Sequence, residues 1–250
     1  MKILRFFLVF MTGIILAACH RTTLPDPQVI HLDATAPLPT RTVSPMPRIT
    51  ETAAVTPTRT PVPTAVPFRI GYDVPVLSQE GLLLNGAPTG VGCIPVCIEM
   101  MTAWWNSTDS TLPVLTAQEV IDRNAVQGLY VAGRGMTSAS AADELAEIGY
   151  IHKMLLNSSK EELLENLRDH GPVGVLVKTN WVPGTMNHAA VLTGYDEAED
   201  SVTLNDPFYG STVTWSWDSF DGIWGLNYAN DPDYSGAVVR RIFFMIYPEK

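Results

Sequence analysis

The chain has 250 residues, a formal net charge of −10 and a mean hydropathy of +0.10. Acidic residues outnumber basic ones after Phe68, and this excess disfavours a nucleic-acid partner, because phosphate binding requires positive charge. Three cysteines are too few for a fold that depends on a disulfide framework, and no cysteine and histidine cluster has the spacing of a metal site. The sequence predicts neither a metal nor a cofactor.

Residues 1–18 are typical of an export signal. Lys2 and Arg5 precede an apolar run from Phe6 to Leu16, which is too short to cross a bilayer. The sequence Leu16-Ala17-Ala18-Cys19 resembles a bacterial lipobox, in which the cysteine becomes the new N-terminus and carries the lipid. The alternative is a signal peptide with an incidental cysteine. We expect export and lipid anchoring to a bacterial membrane through Cys19, with the protein facing outside the cytoplasm.

Residues 19–67 have the composition of a disordered tether. Ten prolines lie between His20 and Pro67, among threonine, alanine and scattered arginine, and no apolar residues recur at helical spacing. Such a segment buries too little apolar surface to fold. Fully extended, it would reach about 150 Å at ~3.1 Å per residue. Residues 68–250 are predicted to form a single domain, which is long enough for one sizeable core.

Helices are predicted in the first half of this domain. An apolar stripe at helical spacing predicts a helix over about 94–105. Thr116 and Glu119 have capping-box spacing ahead of a second helix that ends near residue 126. A third and a fourth helix are predicted over 138–148 and 159–168.

Strands are predicted after the helices. The segments there are rich in β-branched and aromatic residues and are separated by turn residues, and they cover 173–178, 189–195, 201–205, 211–215 and 237–247. Helices followed by an antiparallel sheet indicate an α+β architecture.

Cys93 is a candidate nucleophile because it immediately precedes the first predicted helix. The unpaired N–H groups and the positive dipole end of a helix lower the pKa of a thiol at that position. The alternative is a core thiol, since Cys93 lies one helical turn before Cys97 and free cysteines are usually buried. Cys97 itself is predicted to be a core residue.

His188 and Asp206 are a candidate pair across a β-hairpin. A hairpin centred on Glu197 would place them directly opposite each other, so that the carboxylate could accept a hydrogen bond from the imidazole. The alternatives are a strand-end histidine bonded to the backbone and a turn aspartate before Pro207. A register slip of one residue would separate the two side chains.

Four sequence blocks resemble those of the bacteriocin-processing-like cysteine peptidases, family thirty-nine. They occur in the family's order over most of residues 68–250 and are Val74-Pro75-Val76-Leu77-Ser78-Gln79, Gly92-Cys93-Ile94-Pro95-Val96-Cys97-Ile98-Glu99-Met100, Asn187-His188-Ala189-Ala190-Val191-Leu192-Thr193-Gly194-Tyr195 and Asn205-Asp206-Pro207. The resemblance implies a papain-like fold, in which the cysteine begins a helix that packs on an antiparallel sheet.

The same resemblance implies a role for each of four residues. Cys93 is similar to the nucleophile, His188 to the general base and later acid, and Asp206 to the carboxylate that orients the histidine. Gln79 is similar to the side chain that stabilises the oxyanion, where its amide N–H would act beside the backbone N–H of Cys93.

One position departs from the family's pattern. Glycine usually follows the cysteine, and Ile94 stands there instead. A branched side chain beside the nucleophile could narrow the cleft, redirect the acyl group or mark a protein that binds without cutting.

These residues favour an envelope-anchored thiol peptidase that cleaves a peptide or amide bond through a cysteine thioester. The alternatives are a non-catalytic peptide-binding module of the same fold, which Ile94 motivates, and a cell-wall amidase or endopeptidase. The expected partners are a peptide or protein substrate and, through the N-terminal lipid, a membrane. The transporter domains of the family's best-known members are not in this sequence, so a double-glycine leader substrate does not follow.

Overall fold

The computed structural model describes residues 67–179, 186–226, 228 and 238–249. Within them, helices cover both faces of an antiparallel sheet of seven strands. The helices are α1 (Cys93–Thr108), α2 (Ala117–Val126), α3 (Ala142–Glu147), α4 (Lys160–His170) and α5 (Trp217–Trp224), and a short 3-10 helix covers Ser138–Ala141. The predicted signal peptide, the lipid site at Cys19 and the tether up to residue 66 lie outside the described residues.

The strands are β1 (Arg69–Gly71), β2 (Leu83–Leu84), β3 (Ala87–Pro88), β4 (Tyr150–Leu155), β5 (Val173–Thr179), β6 (Met186–Asp196), β7 (Ser201–Asp206), β8 (Ser211–Ser216) and β9 (Ile242–Pro248). The main sheet has the strand order β4-β9-β5-β6-β7-β8, and β1 pairs with the part of β6 that β5 does not reach. Strands β2 and β3 form a separate hairpin.

The sheet separates two apolar clusters. Alternate residues of a strand point to opposite faces, so Ile242, Phe244 and Ile246 of β9 join one cluster while Phe243 and Met245 join the other. Helix α1 packs in the first cluster, and α4 and α5 pack in the second. The predicted α+β class, with a cysteine at the start of a helix that packs on an antiparallel sheet, is therefore confirmed.

Local sequence explains where several helices begin. The Thr116 side chain accepts a hydrogen bond from the backbone N–H of Glu119, and the Glu119 carboxylate accepts one from the backbone N–H of Thr116, which completes the predicted capping box. The Ser159 hydroxyl caps α4 by accepting a hydrogen bond from the Glu162 N–H, and the Ser216 hydroxyl caps α5 by accepting one from the Ser219 N–H. The predicted third helix is divided into the 3-10 helix and α3.

Two elements differ from the predicted order. Strand β4 lies between α3 and α4, so the sheet takes its edge strand from the helical half of the chain. Helix α5 follows β8 directly, where only strands were expected. Ser216 caps the start of this helix, and Trp217 and Trp224 on it pack in the second apolar cluster. Strand β9 begins at Ile242, and the described residues 238–241 before it are not part of the strand.

His152 is a titratable side chain of β4 that the fold holds in its neutral form. Its ring lies 5.9 Å from the ring of Phe244, and its buried Nε2 has no hydrogen-bond partner. Burial lowers the pKa of His152 from 6.5 to about 4. Protonation of this ring therefore opposes folding.

We expect His152 to make the fold sensitive to acid. At pH 8 and above the ring is neutral in both folded and unfolded chains. As the pH falls from 6.5 towards 4, the unfolded chain binds a proton that the folded protein does not, and the free energy of unfolding falls by up to about 3 kcal/mol. Chemical denaturation of wild type and His152→Leu across this range measures the effect. The difference at pH 8 reports packing alone, and parallel curves from pH 6.5 to 4 would contradict the assignment.

Candidate active site

Cys93 is the first residue of α1, because the helix begins one residue earlier than the predicted start at residue 94. Gly92 precedes it as the N-cap and supplies no side-chain hydrogen bond, so the first N–H groups of α1 face the sulfur without a competing cap. The thiol is partly buried and free, and it forms a hydrogen bond with His188. The candidate nucleophile and the candidate base are thus in contact.

His188 lies near the start of β6 and is held by Asp206 at the end of β7. Its Nε2 is 2.8 Å from Oδ1 of Asp206, and both side chains are buried. The same Asp206 oxygen accepts a hydrogen bond of 2.8 Å from the backbone N–H of Phe208. Because Nε2 faces the carboxylate, Nδ1 is the ring nitrogen left to the thiol.

The predicted direct pairing of His188 with Asp206 is wrong in register, although the two side chains do meet. The turn between β6 and β7 covers residues 197–200 instead of centring on Glu197. Continuing the ladder by one pair from Val191 and Asn205 puts position 190, not 188, opposite Asp206. Since positions two apart in a strand share a face, His188 reaches Asp206 diagonally.

These contacts favour a thiolate and an imidazolium. Burial alone would raise the pKa of the Cys93 thiol, but the hydrogen bond and charge of His188 and backbone hydrogen bonds from Ala189 and Ile94 lower it below its ordinary value. Burial opposes the charge on His188, yet hydrogen bonds to Asp206 and Cys93 and their negative charges raise its pKa to about 9. The proton is therefore favoured on nitrogen at neutral pH.

Gln79 lies beside the start of α1. A Cβ on Gly92 would come within 3.2 Å of the Gln79 Cβ, so the absence of a side chain there allows the close approach. The Gln79 Nε2 donates to the Gly90 carbonyl at 3.2 Å, and its buried Oε1 has no partner. The Gln79 backbone N–H donates to the Pro207 carbonyl, next to Asp206, at 2.9 Å.

Ile94, the residue after the cysteine, is buried in the apolar core. Its side chain is 6 % exposed and belongs to the apolar cluster that surrounds α1. The expectation that this residue narrows the cleft is therefore not supported by its position. Cys97 is fully buried in the same cluster, as predicted, and burial raises the pKa of its thiol well above the ordinary value, with the charges of Cys93 and Asp206 adding to the effect.

Two features of the site were not found from the sequence. Phe208 and Tyr209 form an exposed aromatic pair directly after Pro207, and the Phe208 ring stands edge-on to the imidazole of His188 at 6.3 Å. Tyr130 donates a hydrogen bond to the Val91 carbonyl, two residues before the cysteine. The position of Phe208 beside Asp206 in the sequence was a signal for the first feature. Tyr130 belongs to no periodic segment, so no comparable signal existed for it.

Two absences hold for the described part of the chain. No group of three or more histidine, cysteine, aspartate or glutamate side chains is arranged there to hold a metal ion. None of its helices is both long and apolar enough to cross a lipid bilayer.

The site combines a thiol at a helix N-terminus with an imidazole that contacts it and a buried carboxylate that holds the imidazole. This arrangement is typical of sites for thiol-dependent acyl transfer. Residues 72–230 match the model of the Peptidase_C39 like family. The chain belongs to this family. No curated protein sequence matches the chain significantly.

The solved structures that are similar to the chain include the following three. A putative C39-like peptidase from Bacillus anthracis has 15 % identity and a TM-score of 0.48, with 73 % of this chain and 100 % of that chain covered. The peptidase domain of Streptococcus ComA, a bi-functional ABC transporter, has 11 % identity and a TM-score of 0.44, with coverage of 63 % and 92 %. A double glycine motif protease from an AMS/PCAT transporter, in complex with its leader peptide, has 14 % identity and a TM-score of 0.43, with coverage of 72 % and 99 %.

We expect Cys93 to react as a thiolate below the ordinary thiol range. Its alkylation by iodoacetamide should titrate with a midpoint below the usual cysteine pKa, whereas in His188→Ala the midpoint should rise, because the effect of burial is then opposed only by the backbone hydrogen bonds from Ala189 and Ile94. Each unit by which the thiol pKa rises lowers the thiolate fraction about tenfold at pH values below the midpoint. Mass spectrometry of the labelled protein separates the sites, and buried Cys97 serves as the unreactive internal control. Equal midpoints in the two proteins would contradict the assignment.

Proposed function

We propose that this protein is a cysteine peptidase that hydrolyses a peptide bond through a thioester on Cys93. The observation that carries the proposal is the continuous contact from the Cys93 thiol through His188 to the Asp206 carboxylate. Membership of the Peptidase_C39 like family supports the same chemistry. The proposed substrate is a peptide or a protein.

In the proposed first step, His188 holds the thiol proton and the Cys93 sulfur attacks the carbonyl carbon of the substrate. The tetrahedral intermediate collapses as the C–N bond breaks, and His188 gives its proton to the leaving amine. Water then attacks the thioester carbonyl carbon while His188 accepts its proton, and the C–S bond breaks as the carboxylic acid product leaves. The Cys93 thiolate beside the protonated His188 is thereby restored. Asp206 keeps the imidazole oriented and stabilises its charge throughout.

The negative oxygen of the tetrahedral intermediate needs donors that are already in place. The Cys93 backbone N–H is one of the unpaired donors at the start of α1. The Gln79 amide has two N–H groups, one of which is directed to the Gly90 carbonyl, so the second is free for the substrate oxygen. We assign the oxyanion role to these two groups.

The alternative of a non-catalytic peptide-binding module rested on Ile94. Because this side chain packs in the core, it gives no specific reason to expect an inactive protein. Catalysis therefore remains the function that the four site residues support best. The cell-wall amidase alternative has no separate observation in its favour.

A peptide library tests the activity directly. Wild-type protein should generate new peptide termini, and Cys93→Ala should abolish them, because removing the nucleophile leaves only residual activity. Cys97→Ala is the matched control: it removes a thiol from the same helix, and it should change stability without abolishing cleavage. Mass spectrometry of the products gives both the result and the cleavage site. Binding of library peptides without turnover, unaffected by Cys93→Ala, would favour the binding module instead.

We further propose that the protein is lipid-anchored through Cys19, with residues 19–67 as its tether. The support is the short apolar run and the Leu16-Ala17-Ala18-Cys19 sequence. A chain of this length would let the peptidase domain act at a distance from the membrane.

Metabolic labelling with a fatty acid tests the anchor. In a bacterial host, the full-length wild-type protein should incorporate labelled palmitate and sediment with membranes, while Cys19→Ala should do neither. Cys97→Ala should behave as wild type, because its thiol is buried in the core. Equal incorporation into Cys19→Ala would exclude this cysteine as the lipid site.

A further inference from the structure

The segment just before Cys93 is held by side chains from outside it. Residues 89–92 belong neither to a helix nor to the main sheet. Gln79 donates to the Gly90 carbonyl at 3.2 Å, and the Tyr130 hydroxyl donates to the Val91 carbonyl at 2.7 Å. Since Gly92 contributes no side-chain cap, these external hydrogen bonds define the path of the chain into the helix.

The hydrogen bonds of Tyr130 have a fixed direction. Its hydroxyl also lies 2.7 Å from Oγ1 of Thr89. A phenol has one proton, and the Val91 carbonyl can only accept, so Tyr130 donates to Val91 and accepts from Thr89. Burial and the negative charge of Cys93 raise the pKa of Tyr130, although the Thr89 hydrogen bond lowers it, so the hydroxyl stays protonated at neutral pH.

Tyr130 is itself fixed in place. Its side chain is 5 % exposed, and its backbone N–H donates to the Asn124 carbonyl at the end of α2. The loop that follows Tyr130 is closed by an isolated antiparallel β-bridge between Val131 and Gly135. A Cβ on Gly135 would lie 3.3 Å from the Val91 carbonyl oxygen, so the backbone of this loop passes close to the same peptide group that Tyr130 binds.

We infer that Tyr130 is a positioning residue for the oxyanion site. It fixes the Val91 carbonyl, and through Gly92 the peptide plane that carries the Cys93 N–H. The same segment presents the Gly90 carbonyl that orients the Gln79 amide. Tyr130 thereby makes the two proposed oxyanion donors converge without touching substrate. This inference rests on the proposed peptidase function and assigns Tyr130 a part in it.

The inference predicts which step slows when the hydroxyl is removed. Oxyanion donors act mainly as charge develops on the substrate oxygen, so their misplacement lowers kcat more than it raises KM. Displacement of a single donor costs roughly 10- to 100-fold in kcat, below the loss of about 10²–10³ for complete removal. The thiolate depends on His188, so its formation should not change.

Tyr150 provides a matched control. It is 1 % exposed, and its hydroxyl donates to the Pro113 carbonyl at 2.9 Å, beyond the C-terminal end of α1. Tyr130→Phe and Tyr150→Phe each remove one tyrosine hydroxyl and leave one carbonyl without its donor, and Tyr130→Phe also removes the acceptor of the Thr89 hydroxyl. Both should lower the unfolding midpoint, because an unpaired buried polar group costs about 1–3 kcal/mol.

The test compares full-length wild type with these two variants on the library peptide that wild type cleaves fastest. Tyr130→Phe should lower kcat by about 10- to 100-fold with KM within about threefold, and it should keep the wild-type pH profile of Cys93 alkylation. Tyr150→Phe should keep the wild-type kcat. Equal kcat values in the two variants, with an active wild type, would overturn the role of Tyr130 alone. A wild type that cleaves no peptide would overturn the proposed function, and with it this inference.

Discussion

The register between β6 and β7 is the constraint on which the site depends. The two strands begin with Asp196 opposite Ser201, and in a regular ladder position 191 would then face Asp206. That register would put His188 three positions from the partner of Asp206, on the other face of the sheet. The irregularity between Leu192 and Gly194 adds one residue to β6 and reduces the offset to two. The bulge is what lets the imidazole and the carboxylate approach to 2.8 Å.

The bulge and the end of β7 are each held by backbone contacts from the N-terminal segment. The Thr193 carbonyl accepts a hydrogen bond from the Tyr72 N–H, and the Thr193 hydroxyl donates to the Thr203 carbonyl. Farther along, the Gln79 N–H donates to the Pro207 carbonyl. One short stretch of chain, 72–79, therefore supports both the residue that sets the register and the turn that follows Asp206. The same stretch places the Gln79 side chain beside the start of α1.

Sequence patterns predicted the elements of this site better than its register. The capping box at Thr116 and the apolar stripe of α1 are local, so they were sufficient to predict helices that the structure contains. The bulge at Thr193 depends on contacts with Tyr72 and Thr203, and no local pattern encodes it. The hairpin prediction correctly placed His188 near Asp206, but it assumed a turn of the wrong length. The role of Tyr130 likewise depends on a contact with Val91, 39 positions away.

Cys93 and Cys97 show how position on one helix separates two thiols. Burial raises the pKa of both, and at Cys97 the charges of Cys93 and Asp206 raise it further. At Cys93, the hydrogen bond and charge of His188 outweigh that cost. Since Asp206 in turn keeps His188 charged, the carboxylate that makes Cys97 a poorer acid makes Cys93 a better one. One turn of helix thus separates a core thiol from the proposed nucleophile, and the difference lies in which thiol contacts the imidazole.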